Sequence, residues 1–124
     1  MTKKGILTIQ TIAMPADTNA NGDIFGGWLV SQMDLGAGIL AKSISKTRVV
    51  TVAINSSEFI QPVAVGDVVC CYAELVKKGR TSMTIDIEVW TKNFVHQTEE
   101  KVAIGQFVFV SIDEQGQPQP VHFV

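Results

Sequence analysis

One carboxylate, Asp34, stands inside a stretch that otherwise avoids charge. Residues 24–45 read IFGGWLVSQMDLGAGILAKSIS, and the only other ionisable group among them is Lys42. A segment apolar on most sides forms a core helix or a membrane span, and an acid within it needs a partner or a chemical task. Gly27, Ser31, Asp34, Gly38 and Ala41 recur at intervals of three and four, so small residues and the acid share one stripe of a helix. Leu29, Met33, Leu40 and Ile44 put bulk on adjoining faces, which leaves Asp34 where a ligand or a second backbone can approach. No cation lies within one helical turn of Asp34, so an intrahelical ion pair does not account for it. As a carboxylate it can deprotonate a water or attack an electrophilic carbonyl itself.

The other reactive side chains offer less. His96 and His122 fall in a predicted loop and a tail, without metal-ligand company, and no metal or cofactor is expected. Cys70 and Cys71 are adjacent, so on a strand they point to opposite faces, a poor geometry for a mutual disulfide. The spacing suits a reducing, cytoplasmic setting. The basic start MTKK is followed by apolar residues alternating with Thr and Gln, not by the apolar core of a signal peptide. Residues 24–45 are long enough to cross a bilayer, but Ser31, Gln32 and Asp34 occupy their centre. An Asp there costs about 2.5 to 3.5 kcal/mol on insertion scales, which argues against membrane insertion. With 10 basic and 12 acidic residues the net charge is −2, and no basic surplus recommends nucleic acid as a partner.

The elements that must position Asp34 follow from periodicity. Residues 5–12 read as a first strand and 15–23, PADTNANGD, as a turn-rich loop. The helix is expected to begin near Gly26, with Asp23 or a neighbour capping it. Residues 49–54, VVTVAI, form a nearly continuous apolar run suited to an inner strand. Residues 67–76 make a third strand, and KKGR at 77–80 a tight basic turn. Residues 82–89 then alternate, with Met83, Ile85, Ile87 and Val89 on one face and a wet face opposite. A polar loop over 93–101 precedes a central strand at 102–113, and 114–124 form an irregular tail. The 124 residues are expected to make one domain. One strand, one helix and four closely connected strands imply an α+β fold in which an antiparallel sheet wraps the helix. A sheet covers one side of a helix, so the other flank requires a second molecule and at least a dimer is expected.

The block from Asp17 to Asp34, DTNANGDIFGGWLVSQMD, resembles the signature of hot-dog acyl-CoA thioesterases. The YciA-type hydrolases, related to the cytosolic acyl-CoA hydrolases of animals, are the branch it resembles most. Further matches are RVVTV at 48–52, FIQP at 59–62 with VGD at 65–67, and GRTS at 79–82, so that the resemblance covers 5–112. It implies a hot-dog fold, a long central helix wrapped by a five-stranded antiparallel sheet, and dimers with active sites between subunits, grouped in this branch into hexamers. The implied activity is hydrolysis of acyl-CoA to free fatty acid and CoA, with CoA part of substrate and product rather than a cofactor. Asp34 carries over as the catalytic acid, Asn19 as a polar partner positioning substrate or water, and the Gly26-Gly27 turn as the oxyanion site.

Physical reasons stand beside these roles. Backbone N–H groups at a helix start are unpaired at the positive end of the dipole, so the Gly27 amide suits a thioester oxygen gaining charge. Gly27 and Asp34 lie seven residues apart, about 10 Å at ~1.5 Å per residue, too far to serve one thioester from a single helix. Two antiparallel subunits bring Gly27 of one to Asp34 of the other. For Asp34, water activation is favoured over direct attack. Arg80 and Lys77 suit the phosphates of CoA, while Thr51 and Ser82 are candidates for hydrogen bonds near the pantetheine or thioester. Two other readings are open: a hot-dog hydratase or dehydratase, which brings a histidine beside the acid, and a non-catalytic acyl-CoA sensor. No histidine precedes residue 96, and no length is left for a DNA-binding segment.

Overall fold

The computed structural model, which describes residues 2–123, has the expected order of elements. They are β1 (Ile6–Ile12), one 3-10 turn (Pro15–Asp17), α1 (Gly26–Ser45), β2 (Arg48–Phe59), β3 (Val68–Lys78), β4 (Ser82–Asn93) and β5 (Thr98–Ile112). The strands form one sheet in the order β1-β3-β4-β5-β2, every neighbouring pair antiparallel. β3, β4 and β5 are joined by tight hairpins, while the chain leaving α1 enters β2 on the far edge.

α1 lies across the concave face. Leu29, Met33, Gly36, Ala37, Leu40 and Ala41 are its buried residues, spaced as one side of a 3.6-residue helix requires. They pack with Met83, Ile85, Ile87 and Val89 of β4 and with Phe107 and Phe109 of β5. The nearest approach of helix to sheet is at Gly36. A β-carbon there would lie 2.9 Å from Thr8 Oγ1 and 3.1 Å from Cys71 Cβ and Ile87 Cδ1, so only glycine seats the helix at this depth. Gly36 lies off the stripe of small residues read from the sequence, of which Gly27 and Ser31 are exposed and Ala41 is buried. α1 ends at Lys46, whose left-handed backbone (φ 57°, ψ 32°) returns its N–H to Lys42 O at 2.8 Å.

Several expectations change. The helix cap is Phe25, without a side-chain hydrogen bond, because the Asp23 backbone is held in the preceding loop: Asn19 N–H donates to Asp23 O and Asp23 N–H to Asn19 Oδ1. β2 is longer than the apolar run and is an edge strand rather than an inner one, with Val50, Val52 and Ile54 exposed. Its apolar character therefore describes a surface that one chain leaves open. Lys77 and Lys78 belong to β3, which shortens the basic turn. β4 runs to Asn93 and β5 begins at Thr98, leaving four residues of the polar loop outside strands.

The outer face of β4 is also drier than alternation suggested. Thr84 and Glu88 are buried, Glu88 accepting from Trp90 Nε1 at 3.0 Å and Lys4 N–H at 3.3 Å. A central strand is flanked on both sides, so its outward side chains are covered by neighbours. The tail is docked rather than loose: Val121 is buried, its N–H donates to Arg80 O at 2.9 Å, and Lys78 Nζ stands 5.2 Å from the Phe123 ring centroid. Among the described residues no helix is long and apolar enough to cross a membrane.

Candidate active site

Asp34 occupies the third turn of α1 and is partly exposed. Thr51 projects from β2 toward the helix and donates its hydroxyl hydrogen to Asp34 Oδ1 at 2.6 Å. One carboxylate oxygen is thus held by a short charge-assisted bond, which fixes the plane of the group. Among the described residues Oδ2 accepts no hydrogen bond, so it is free for a water or substrate atom. Thr51 carried only a substrate-binding expectation, and its hydrogen bond to Asp34 links two strongly separated positions of the sequence.

The diglycine turn forms the start of the same helix. The N–H groups of Trp28 and Leu29 donate to Phe25 O at 3.1 and 3.5 Å, while among the described residues the amide of Gly27 makes no backbone bond. This is the unpaired first turn expected of a helix, with its donors directed outward. A phenyl ring faces each glycine, Phe59 at Gly26 and Phe25 at Gly27, and neither ring had been singled out as a neighbour of this turn. Asn19 lies in the loop before α1. Its Oδ1 accepts from the N–H groups of Asn21 and Asp23 at 2.9 and 3.2 Å, an Asx turn that leaves Nδ2 as a donor.

The remaining candidates stand elsewhere. Lys77 and Ser82 line an open groove of about 510 Å³ with Asn55, Thr84 and Gln106. Since Met83 and Ile85 face α1, this groove is on the opposite face of the sheet from Asp34. Register puts Thr51, Phe109 and Met83 on one line, so Ser82 lies two strands from Thr51, about 10 Å at ~4.8 Å per strand. Arg80 is exposed in the β3–β4 turn. One chain thus brings Asp34 and Thr51 together but leaves Gly27, Asn19 and the Lys77–Ser82 group apart. Ser57 Oγ, on the helix-facing side of β2, is buried without a partner among the described residues, and nothing in the sequence marked it.

Cysteine chemistry does not compete. Burial, with the neighbouring Cys70 adding to it, pushes the Cys71 thiol up to about 12, and burial also raises Cys70. Neither supplies a thiolate near neutral pH. Among the described residues no group of three or more His, Cys, Asp or Glu is placed to hold a metal ion. His96 is exposed in the β4–β5 turn and His122 in the tail.

A long helix in a five-stranded antiparallel wrap, with an acid on the helix and glycines at its start, defines a hot-dog-fold protein of the thioesterase class. The model of the Thioesterase superfamily matches residues 21–93. The acyl-CoA thioester hydrolase YciA of Salmonella typhimurium is 54% identical over 123 residues, 97% of this chain and 92% of that protein. A hexameric thioesterase from Yersinia pestis superposes with a TM-score of 0.93 at 50% identity, covering 98% of this chain and 99% of the other. An aspartate-to-alanine mutant of a hexameric broad specificity acyl-coenzyme A thioesterase superposes with a TM-score of 0.94 at 50% identity, covering 96% and 88%. The chain belongs to the YciA-type acyl-CoA thioester hydrolases of the thioesterase superfamily.

The Asp34–Thr51 bond generates a direct test. Replacing Thr51 with Val keeps shape and removes the donor; thiol release from an acyl-CoA is expected to fall by about tenfold, the scale of one hydrogen bond to a charged group. Melting temperature and oligomeric state should stay close to those of the unaltered protein. An unchanged rate would mean that this bond orients nothing the reaction uses.

Proposed function

We propose that this protein hydrolyses acyl-CoA thioesters to the free fatty acid and CoA, using Asp34 and a helix-start amide from two different subunits. The Asp34–Thr51 pair carries the reading, because a carboxylate with one oxygen fixed and the other free is arranged to act on a water. Asp34 Oδ2 takes a proton from that water as its oxygen attacks the thioester carbon. Negative charge then develops on the carbonyl oxygen, and the Gly27 N–H at the positive end of α1 stabilises it. Collapse of the tetrahedral intermediate breaks the C–S bond, and the proton returns from Asp34 to the departing thiolate. Asn19, through Nδ2, positions the water or the carbonyl, and Gly26 forms the turn that presents the Gly27 amide. Hydrolysis in this form needs no cofactor.

Asp34→Asn and Asp34→Ala are expected to lower kcat by two orders of magnitude or more in a thiol-release assay with fold and assembly intact, in the range of about 10²–10⁴-fold for a lost general base. An undiminished rate would remove Asp34 from the mechanism. The same assay separates the enzyme from a non-catalytic sensor. A hydratase or dehydratase is disfavoured because neither histidine is placed beside Asp34.

Two copies are needed because about 10 Å of helix separates Gly27 from Asp34 on one chain. The unpaired 12-residue edge of β2, with Val52 and Ile54 exposed, adjoins Leu35 and Ile39 of α1, which are 57% and 48% exposed. An apolar open edge of this kind pairs with another strand. Joining two β2 edges by a two-fold axis buries both surfaces, and the hexameric relatives support a trimer of such dimers. Leu35→Lys should shift the protein to a smaller species in sedimentation velocity and abolish hydrolysis together; an active monomer would exclude a shared site.

Arg80 and Lys77, with Ser82, are assigned to the phosphates of CoA. Arg80→Ala should raise KM for acyl-CoA by about three- to tenfold, the scale of about 1 kcal/mol for an exposed charge pair, and leave KM for an acyl thioester lacking the nucleotide unchanged. Equal effects on both substrates would reject the phosphate role. A cytoplasmic location accords with two free cysteines and with a water-borne thioester substrate; recovery in the membrane fraction of cells would contradict it.

A further inference from the structure

The turn between β4 and β5 carries two large apolar side chains at its tip. Asn93 pairs with Thr98 as the last rung of the ladder, and Phe94, Val95, His96 and Gln97 close it. The polar members set the turn: Asn93 Oδ1 accepts from His96 N–H at 3.0 Å, and Gln97 takes the left-handed backbone at φ 53°. Phe94 and Val95 serve neither purpose, yet they are 69% and 86% exposed, the most of any large hydrophobic side chain among the described residues. Adjacent apolar groups held out in this way mark a surface that another molecule covers.

The tip is out of reach of the β2 edge. β2 ends at Phe59, paired with Ala103, whereas β5 begins at Thr98, so the hairpin extends about 16 Å past β2 at ~3.3 Å per residue. Pairing two β2 edges adds a strand beside β2 and leaves the ends of β4 and β5 uncovered. The hairpin is braced from below: Lys3 Nζ donates to Glu99 Oε2 at 2.6 Å, and Lys92 Nζ stands 3.8 Å from Oε1. Glu99 and Glu100 follow Thr98 on the flank that β2 leaves open, and charges on an edge discourage strand addition, so contact falls to the tip side chains. Glu100 has no ion pair among the described residues, and its charge opposes an anionic lipid surface.

We infer that the Phe94–Val95 tip is the contact through which one dimer of this protein joins the next, its occupant being a second copy of the chain from a neighbouring dimer. The inference rests on the trimer-of-dimers reading, which needs an interface beyond the β2 edge. A two-fold pairing closes on itself after two chains and cannot by itself build a hexamer. Each β2-paired dimer carries one tip per chain, at positions related by its two-fold axis, so it can engage a neighbour on either side. Three dimers joined in that way close into a ring and leave no tip uncovered.

Sedimentation velocity and thiol release, both on the full chain, provide the test. The unaltered protein should sediment as a hexamer. Phe94→Asp combined with Val95→Asp should give a dimer that still hydrolyses acyl-CoA, at concentrations where the unaltered protein is hexameric and with the same far-ultraviolet circular dichroism. Val95→Lys alone, at the more exposed position, should dissociate the hexamer on dilution, and Phe94→Leu, which keeps the tip apolar, should stay hexameric. An active dimer also separates the tip from Leu35→Lys, whose smaller species is inactive. A doubly substituted protein that remains hexameric would overturn the inference and leave the trimer of dimers standing. Dissociation to monomers would overturn it too, by placing the tip at the β2 edge. An unaltered protein that is only a dimer would reject the hexamer and the inference with it. Flotation of the unaltered protein with phosphatidylcholine vesicles, lost in the double variant, would make a bilayer the occupant and overturn it as well.

Discussion

The structure depends on burying a helix that is apolar on most sides with a sheet that reaches only one of them. Twenty residues of α1 place Leu29, Met33, Ala37, Leu40 and Ala41 into the concave face, and Gly36 lets the backbone settle against Thr8, Cys71 and Ile87. The same seating leaves Leu35 and Ile39 outside. Burial of a leucine or isoleucine side chain is worth about 1.5–3 kcal/mol, so an uncovered flank beside an unpaired β2 edge is a strong drive to self-association. The proposed assembly is then a consequence of how the core forms.

That geometry also explains how an acid is tolerated on such a helix. Asp34 lies at the boundary between the covered and uncovered sides, where Thr51 reaches it from the edge strand and one oxygen remains open. Deeper in the core it would require full pairing; farther out it would be solvated and unoriented. The helix start follows the complementary logic. Its donors are unpaired by the nature of a helix terminus, its two glycines are crowded by Phe59 and Phe25 rather than by their own side chains, and the result is an accessible, oriented amide. Roughly 10 Å of helix separates the two, which is why the proposed site draws them from different subunits.

The chain ties down its opposite end as well. The β3–β4 turn that carries Arg80 is held by the tail, with the Val121 N–H on the Arg80 carbonyl and Lys78 over the Phe123 ring. Lys77 and Ser82 open onto the outer face, away from Asp34.

Much of this was legible in the residues. The period-3.6 run from Gly26, the alternation of Met83, Ile85, Ile87 and Val89, and the turn chemistry of 15–23 determined the order of elements, because those patterns follow from local backbone geometry. The isolation of Asp34 in an uncharged helix singled it out as a candidate site residue by the cost of placing a carboxylate there. Only the tertiary structure decided which neighbours those residues meet. VVTVAI reads as an inner strand, yet sheet order makes it an edge, since hydropathy records that a surface is covered and not whether the cover comes from the same chain. The Thr51–Asp34 bond, the rings over Gly26 and Gly27, and the separation of Lys77 and Ser82 from the acid arise from register and packing between positions far apart in the chain. Local sequence determines each strand and helix through short-range periodicity; long-range pairing determines which side chains share a site.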